Sequence, residues 1–143
     1  MIFREILRTL IDKKKITITE LSELSGIHRD TIHRILSGRT NPKFDTVVYL
    51  MSGLNTPVLL FAPDGWVWQL DDFYDCLHVI LGEELITQKS LAERTGVHAT
   101  KISQYARGLH SPSINTAIDI CEKMEYRLYI RNGKNKIRLE KEN

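Results

Sequence analysis

Apolar residues recur at Phe3, Ile6, Leu7, Leu10 and Ile11, the i, i+3, i+4, i+7, i+8 spacing of a helix with one apolar face. Phe73, Cys76, Leu77, Ile80 and Leu81 repeat that stripe, and Asp71 or Asp72 supplies a helix-capping side chain ahead of it. A second helix is predicted after Thr17 and again after Thr87, each ending at a glycine, Gly26 or Gly96. A third runs from His28 to about Leu36, and from His98 to about Ala106, with Ile32/Ile35 and Ile102/Tyr105 on its inner side. After Gly38 or Gly108 and Pro42 or Pro112 comes a fourth. Its stripes are Phe44, Val47, Val48, Met51, Leu54 and Ile114, Ala117, Ile118, Cys121, Met124. The period then changes. Pro57–Phe61, a turn at Ala62–Gly65 and Trp66–Trp68 form one expected β-hairpin. Tyr126–Ile130, an Asn132-Gly133 turn within Arg131–Lys134, and Lys136–Leu139 form another. A lone hairpin is marginal in water, so the two are expected to pair with each other, with the helices or with another chain.

These parallels are one ungapped repeat, held throughout at the offset that separates Phe3 from Phe73. Further identical pairs include Leu7/Leu77, Thr17/Thr87, Leu21/Leu91, Gly26/Gly96, His28/His98, Ile32/Ile102, Gly38/Gly108 and Pro42/Pro112. An internal duplication is the simplest account. The expected fold is mainly α with short β-hairpins, built as two tandem units of four helices and a hairpin. The units are 1–69, with its hairpin at about 57–69, and 70–143, with its hairpin at about 126–140.

Composition narrows the function. The net charge of +2 in 143 residues says little, but its distribution says more. Residues 1–55 hold nine Lys/Arg and six Asp/Glu, residues 56–85 hold six acids and no Lys or Arg, and residues 86–143 hold eleven bases and six acids. Two basic blocks that can meet phosphate flank an acidic middle expected to face away from nucleic acid. No apolar run approaches the roughly 20 residues of a membrane span, and the N-terminus lacks a leader-like apolar stretch. Cys76 and Cys121 fall on core positions of the stripes and are expected to be free, buried thiols in a cytoplasmic protein. Nucleophile elbows, phosphate loops and His-Glu-x-x-His are absent, which points away from an enzyme. No cofactor is expected. Metal binding by His28 or His98 lacks a second ligand at a binding spacing, and helix capping or phosphate contact suits their place better.

Two short helices joined through a glycine turn, the second with a polar outer face, form the helix-turn-helix arrangement. The run Thr87-Gln88-Lys89-Ser90-Leu91-Ala92-Glu93-Arg94-Thr95-Gly96-Val97-His98, with Gly108 and Pro112 beyond, resembles the lambda-repressor-like (Cro/CI, or XRE) helix-turn-helix DNA-binding family. Thr17, Gly26, Gly38 and Pro42 form a looser second copy, in which Ile18 stands where the family has a polar residue.

That resemblance implies a recognition helix entering the major groove by its N-terminus. The residues then facing bases are Arg29, Asp30, His33 and Arg34 in the first unit, and Ala99, Thr100, Ser103 and Gln104 in the second, with Lys101 beside them. Arginine can pair with guanine, glutamine with adenine, and the Ala and Thr methyls can touch thymine. Asp30 would repel phosphate unless it accepts from cytosine or pairs with Arg34. Gln88 matches the position that holds backbone phosphate, next to the capping Thr87 and, in the other unit, Thr17. Further phosphate candidates are His28 and His98 and the loops before helix four: Arg39, Thr40, Asn41 and Lys43, and Arg107, His110, Ser111 and Ser113.

The function implied is sequence-specific binding of double-stranded DNA by a repressor-type regulator, of the kind carried by phages, mobile elements or bacterial operons. The competing reading is a protein-binding module, such as an antitoxin or a phage inhibitor of a host protein, using the same fold as scaffold. Trp66 and Trp68, two residues apart, are expected in the core or an interface rather than as a nucleotide-stacking platform. Expected partners are DNA, a second copy joined through the hairpins around Trp66 and Trp68, or a protein such as a toxin, with no membrane.

Overall fold

The computed structural model describes residues 1–142; Asn143, the last residue of the expected second unit, lies outside the described residues. The first half runs α1 (Phe3–Lys14), α2 (Ile18–Ser25), α3 (Arg29–Leu36), α4 (Phe44–Gly53), β1 (Val58–Phe61) and β2 (Val67–Gln69). The second repeats it as α5 (Phe73–Glu84), α6 (Gln88–Thr95), α7 (Ala99–Ala106), α8 (Ile114–Lys123), β3 (Arg127–Asn132) and β4 (Asn135–Arg138). All eight helices lie where the apolar stripes predict them. Asp72, rather than Asp71, caps α5, its carboxylate accepting from the Asp75 N–H at 2.8 Å.

The hairpins pair with each other. They form one antiparallel sheet in the order β2-β1-β3-β4, so β1 and β3 join the halves. The register is symmetric about the pair Leu59–Tyr129. Val58 opposes Ile130, and their counterparts in the repeat, Leu128 and Leu60, oppose each other in turn. The same pseudo-dyad recurs ahead of α4 and α8, where Lys43 and Ser113 form a bridge. There the Phe44 N–H donates to the Pro112 carbonyl at 2.8 Å and the Ile114 N–H to the Pro42 carbonyl at 2.9 Å, positions that interchange under the repeat. The chain thus contains, within itself, the self-complementary contact of a two-fold dimer.

Alternation sets the inner face of the sheet. Val58, Leu60, Leu128, Ile130 and Leu139 are buried and join one continuous hydrophobic cluster with the helices of both halves. α4 buries Phe44, Val47, Val48, Leu50 and Met51, more than a one-sided stripe, because it packs on its own half and also touches α8. Phe73 of α5 meets Phe44 and Tyr105 edge to face, at 5.6 and 5.5 Å between ring centres, tying α4 to α7. The outer face carries Phe61 and Tyr129 edge to face at 4.7 Å, with the Lys136 ammonium over both rings.

Two strand expectations shift. The second hairpin turns through the two residues Gly133-Lys134, with Asn132 opposite Asn135, so both strands extend beyond the predicted ends. Gly133 has φ +61° and Lys134 does not share the positive φ, which puts the required glycine first in the turn rather than second after Asn132. In the first hairpin Trp66 falls outside β2. Its N–H donates to the Asp64 carboxylate and its carbonyl accepts from Ala62 N–H, so the turn consumes it. Trp66 is therefore 67% exposed and not in the core, whereas Trp68 is half-buried against it.

Cys76 and Cys121 are free and buried, as expected, their sulfurs 3.7 Å apart between α5 and α8. The contact with Cys121 and burial both push the Cys76 thiol up, so it stays protonated. Among the described residues no helix is long and apolar enough to cross a membrane, and no cluster of three metal-ligating side chains occurs.

Candidate nucleic-acid interface

Each helix-turn-helix is set by local chemistry. Thr17 Oγ1 accepts from the Glu20 N–H at 3.0 Å, and Glu20 Oε1 accepts from the Thr17 N–H at 3.2 Å, a reciprocal capping box that starts α2. Thr87 Oγ1 likewise accepts from the Ser90 N–H at 3.1 Å, but Ser90 does not return the bond. Both helices stop at glycines with φ +74°, Gly26 and Gly96, the left-handed exit that turns the chain into the next helix. Ser25 and Thr95 then accept from the N–H two residues on, at Ile27 and Val97, holding the turn.

The two histidines cap the recognition helices. His28 Nδ1 accepts from the Asp30 N–H, and His98 Nδ1 from the Thr100 N–H, each at 3.1 Å. One ring nitrogen of each is thereby committed to its helix. Ile32 and Ile35 of α3, and Ile102, Tyr105 and Ala106 of α7, fix the inner faces in the core. The opposite faces leave Arg29, Asp30, His33 and Arg34 exposed in α3, and Ala99, Thr100 and Lys101 exposed in α7, with Ser103 and Gln104 half-buried. The Asp30 carboxylate does not pair with Arg34. Arg34 Nε reaches only the Asp30 backbone carbonyl at 3.4 Å, and the carboxylate lies 3.7 Å from His28 Nδ1, the nitrogen that already accepts from the Asp30 N–H. Gln88 opens α6 and is exposed.

The loops after the recognition helices meet at the pseudo-dyad. Arg39, Thr40, Asn41, Lys43, Arg107 and His110 are exposed there. Ser111 differs: its hydroxyl accepts from the Asp45 N–H at 3.1 Å, so it caps α4 of the other half. Ser113 caps its own helix α8, accepting from the Thr116 N–H. Both serines are therefore occupied with structural hydrogen bonds. The α3–α4 and α7–α8 loops place the two recognition helices on either side of one axis.

Two positioning residues carried no signal in the apolar pattern. Arg8 of α1 donates to the Leu36 carbonyl at the end of α3, and His78 of α5 donates through Nε2 to the Ala106 carbonyl at the end of α7 at 2.7 Å. Arg8 and His78 are equivalent positions of the repeat, and so are Leu36 and Ala106, so each half pins the C-terminus of its recognition helix in the same way. The duplication could have flagged the pair, but Arg and His are not an identity. Lys89, exposed beside Gln88, is a further cation on this surface.

No curated protein and no solved structure matches the chain. The helix-turn-helix family model matches it twice, over residues 7–61 and 80–130. The first match covers α2 to β1 with most of α1, and the second covers α6 to α8 with parts of α5 and β3. The chain belongs to the helix-turn-helix family of the XRE type, a DNA-binding regulatory family, and carries two tandem copies of it.

Proposed function

We propose that the protein is a cytoplasmic, sequence-specific regulator of the repressor type, not an enzyme, that binds double-stranded DNA as a built-in pair of units, 1–69 and 70–143. The observation that carries this reading is the pseudo-dyad. Two recognition helices with solvent-facing polar residues flank one axis defined by the Lys43–Ser113 bridge and the Leu59–Tyr129 pair. A two-fold pair of recognition helices suits two half-sites in successive major grooves. The faces differ: α3 offers Arg29 and Arg34, suited to guanine, and α7 offers Ala99, Thr100 and Gln104, suited to A·T pairs. The site read by one chain is therefore asymmetric, with unlike half-sites. Arg39, Lys43, Lys89 and Arg107 supply phosphate contacts that position without reading sequence.

The test is titration of the chain into duplex from upstream of its own gene, against random duplex, at several salt concentrations. Specific binding about a thousandfold or more tighter than random, falling as salt rises, is the expected result. Arg34→Ala and Gln104→Ala should each cost about 1–3 kcal/mol on the specific duplex and relax the preference at different half-sites. Equal binding to every duplex, including those from an unbiased selection, would sink the sequence-specific reading.

A second reading rests on the β2 edge. Leu70 N–H donates to β1 at Val58, so by antiparallel alternation Val67 and Gln69 turn their backbone groups outward, with no strand beyond them among the described residues. Val67 is 42% exposed beside the exposed Trp66. Such an edge accepts a strand of another chain, whether a second copy or a toxin-like partner. Replacing Val67 with Pro should abolish any concentration-dependent association seen by sedimentation; association undiminished in that variant would place it elsewhere.

A further inference from the structure

The joint sheet has two unlike faces. Its strands contain four basic residues, Arg127, Arg131, Lys136 and Arg138, and no acid. Val58, Leu60, Leu128 and Ile130 point into the core, so by alternation their neighbours point away from the helices. All four bases fall on that outer face: Arg127 stands opposite Phe61, Arg131 opposite Lys136, and Arg138 opposite Tyr129. Because α4 and α8 pack on the inner face, this surface is separate from the recognition helices.

The strand registers allow the two hairpins to be compared position by position. The inner pair Leu60–Trp68 is matched by Ile130–Ile137, apolar in both halves. The outer pairs diverge. Phe61–Val67 is matched by Arg131–Lys136, and Leu59–Gln69 by Tyr129–Arg138. One half of the outer face is therefore apolar and uncharged, and the other is cationic. The two meet at Phe61 and Tyr129, whose ring centres are 4.7 Å apart, with the Lys136 ammonium 4.5 and 5.2 Å from those centres. Arg131 and Lys136 are exposed and have no anionic partner among the described residues. Arg138 shares Glu122 at 3.0 Å, and Arg127 donates to the Tyr126 carbonyl at 3.1 Å. Asp64, in the turn between β1 and β2, accepts from the Trp66 N–H.

We propose that this outer face binds single-stranded nucleic acid. A second copy of the chain laid on it would set cations against cations, which disfavours a face-to-face dimer. A polyanion answers the cations, and a polyanion that carries flat rings answers Phe61 and Tyr129 as well. A base stacks on the paired rings while Arg131 and Lys136 meet flanking phosphates. Lys136 exchanges an exposed cation–π contact for a phosphate, and the ring it leaves gains the stronger stacking of a base. A duplex keeps its bases stacked within itself, so the rings favour a strand whose bases are free.

The experiment titrates the full chain into fluorescein-labelled oligo(dT) and oligo(U) of about 15 nucleotides, within the span of single-strand-binding domains. Anisotropy is read from about 50 mM salt upward. Neither homopolymer pairs with itself, so neither offers a groove to α3 or α7. Saturable binding that weakens as salt rises is expected, and the tighter complex identifies the sugar as deoxyribose or ribose. The double variant Phe61→Leu, Tyr129→Leu keeps the apolar cover and should bind about tenfold or more weakly. The double variant Arg131→Ser, Lys136→Ser should flatten the slope of log affinity against log salt by about 1.4, at roughly 0.7 for each phosphate contact. Circular dichroism checks that both variants fold, and their affinity for duplex DNA should equal that of the wild type, which keeps this outcome apart from the recognition-helix reading. No saturable binding of either homopolymer overturns the proposal. So does full affinity in the ring variant. Poly-L-glutamate competing as well as the oligonucleotide at equal charge also overturns it, and leaves an acidic peptide as the occupant.

Discussion

At the scale of single residues, the protein uses polar side chains chiefly to finish backbone geometry, and Tyr126 shows how such a contact couples to solvent conditions. Tyr126 is fully buried and its hydroxyl donates to Glu84 Oε2 at 2.8 Å. Burial first, then the bond to Glu84 and the negative charges of Glu84, Glu83 and Asp64, push its pKa far above that of a free phenol. The folded pKa exceeds the unfolded one, so the contribution is complete below about pH 10 and is lost as pH rises toward the folded value. Urea denaturation from about pH 9 to 11 should show stability falling in the wild type and falling less in Tyr126→Phe. The variant should begin about 1 kcal/mol less stable at neutral pH through loss of the hydrogen bond. Parallel decline in both proteins would remove Tyr126 from the explanation. His28 and His98 belong to the same economy. Their shared place in the repeat suggests capping or phosphate contact, and the geometry commits Nδ1 of each to the helix.

At the scale of elements, the turns between helices carry the sharpest test. Gly26 has φ +74° and open space where a Cβ would stand, so only backbone conformation forbids a side chain there. Gly26→Ala should cost about 1–2 kcal/mol, read as a lowered urea midpoint with an unchanged slope. No loss would mean that α2 can exit without the left-handed residue. The helices were legible from an apolar stripe in α1, α4, α5 and α8, and in α2, α3, α6 and α7 from a capping Thr or His ahead and a glycine at or just past the end. The strands were half legible. Alternation told which side of β1 and β3 is apolar, yet a strand has two edges and its sequence does not name its neighbour. Hence the pairing of β1 with β3 stood as one option of three, and the end of the second hairpin moved when Gly133 took the first turn position. The candidate interface divides in the same way. The exposure of Arg29, Arg34, Ala99 and Thr100 was legible because inner positions of a helix imply outer ones. The cross-half cap by Ser111 and the pinning of helix ends by Arg8 and His78 depend on tertiary approach, which no local pattern encodes.

At the scale of the whole molecule, the joint sheet and the α4–α8 contact make one body of two homologous halves. Because β1 pairs with β3 symmetrically about Leu59–Tyr129, residues 1–69 expressed alone would bare the β1 edge and a self-complementary strand. That fragment should sediment as a homodimer, or unfold on dilution; a stable folded monomer would show that the second half is dispensable to the first. The covalent join also has a consequence for dose. A repressor assembled from separate subunits loses its paired form on dilution, and its operator occupancy then rises as the square of subunit concentration. Here Leu59 and Tyr129 meet at an effective concentration set by the linker rather than by the cell. For a DNA-binding chain of this design, occupancy follows the first power of copy number, and even a few molecules per cell retain both helix-turn-helix units.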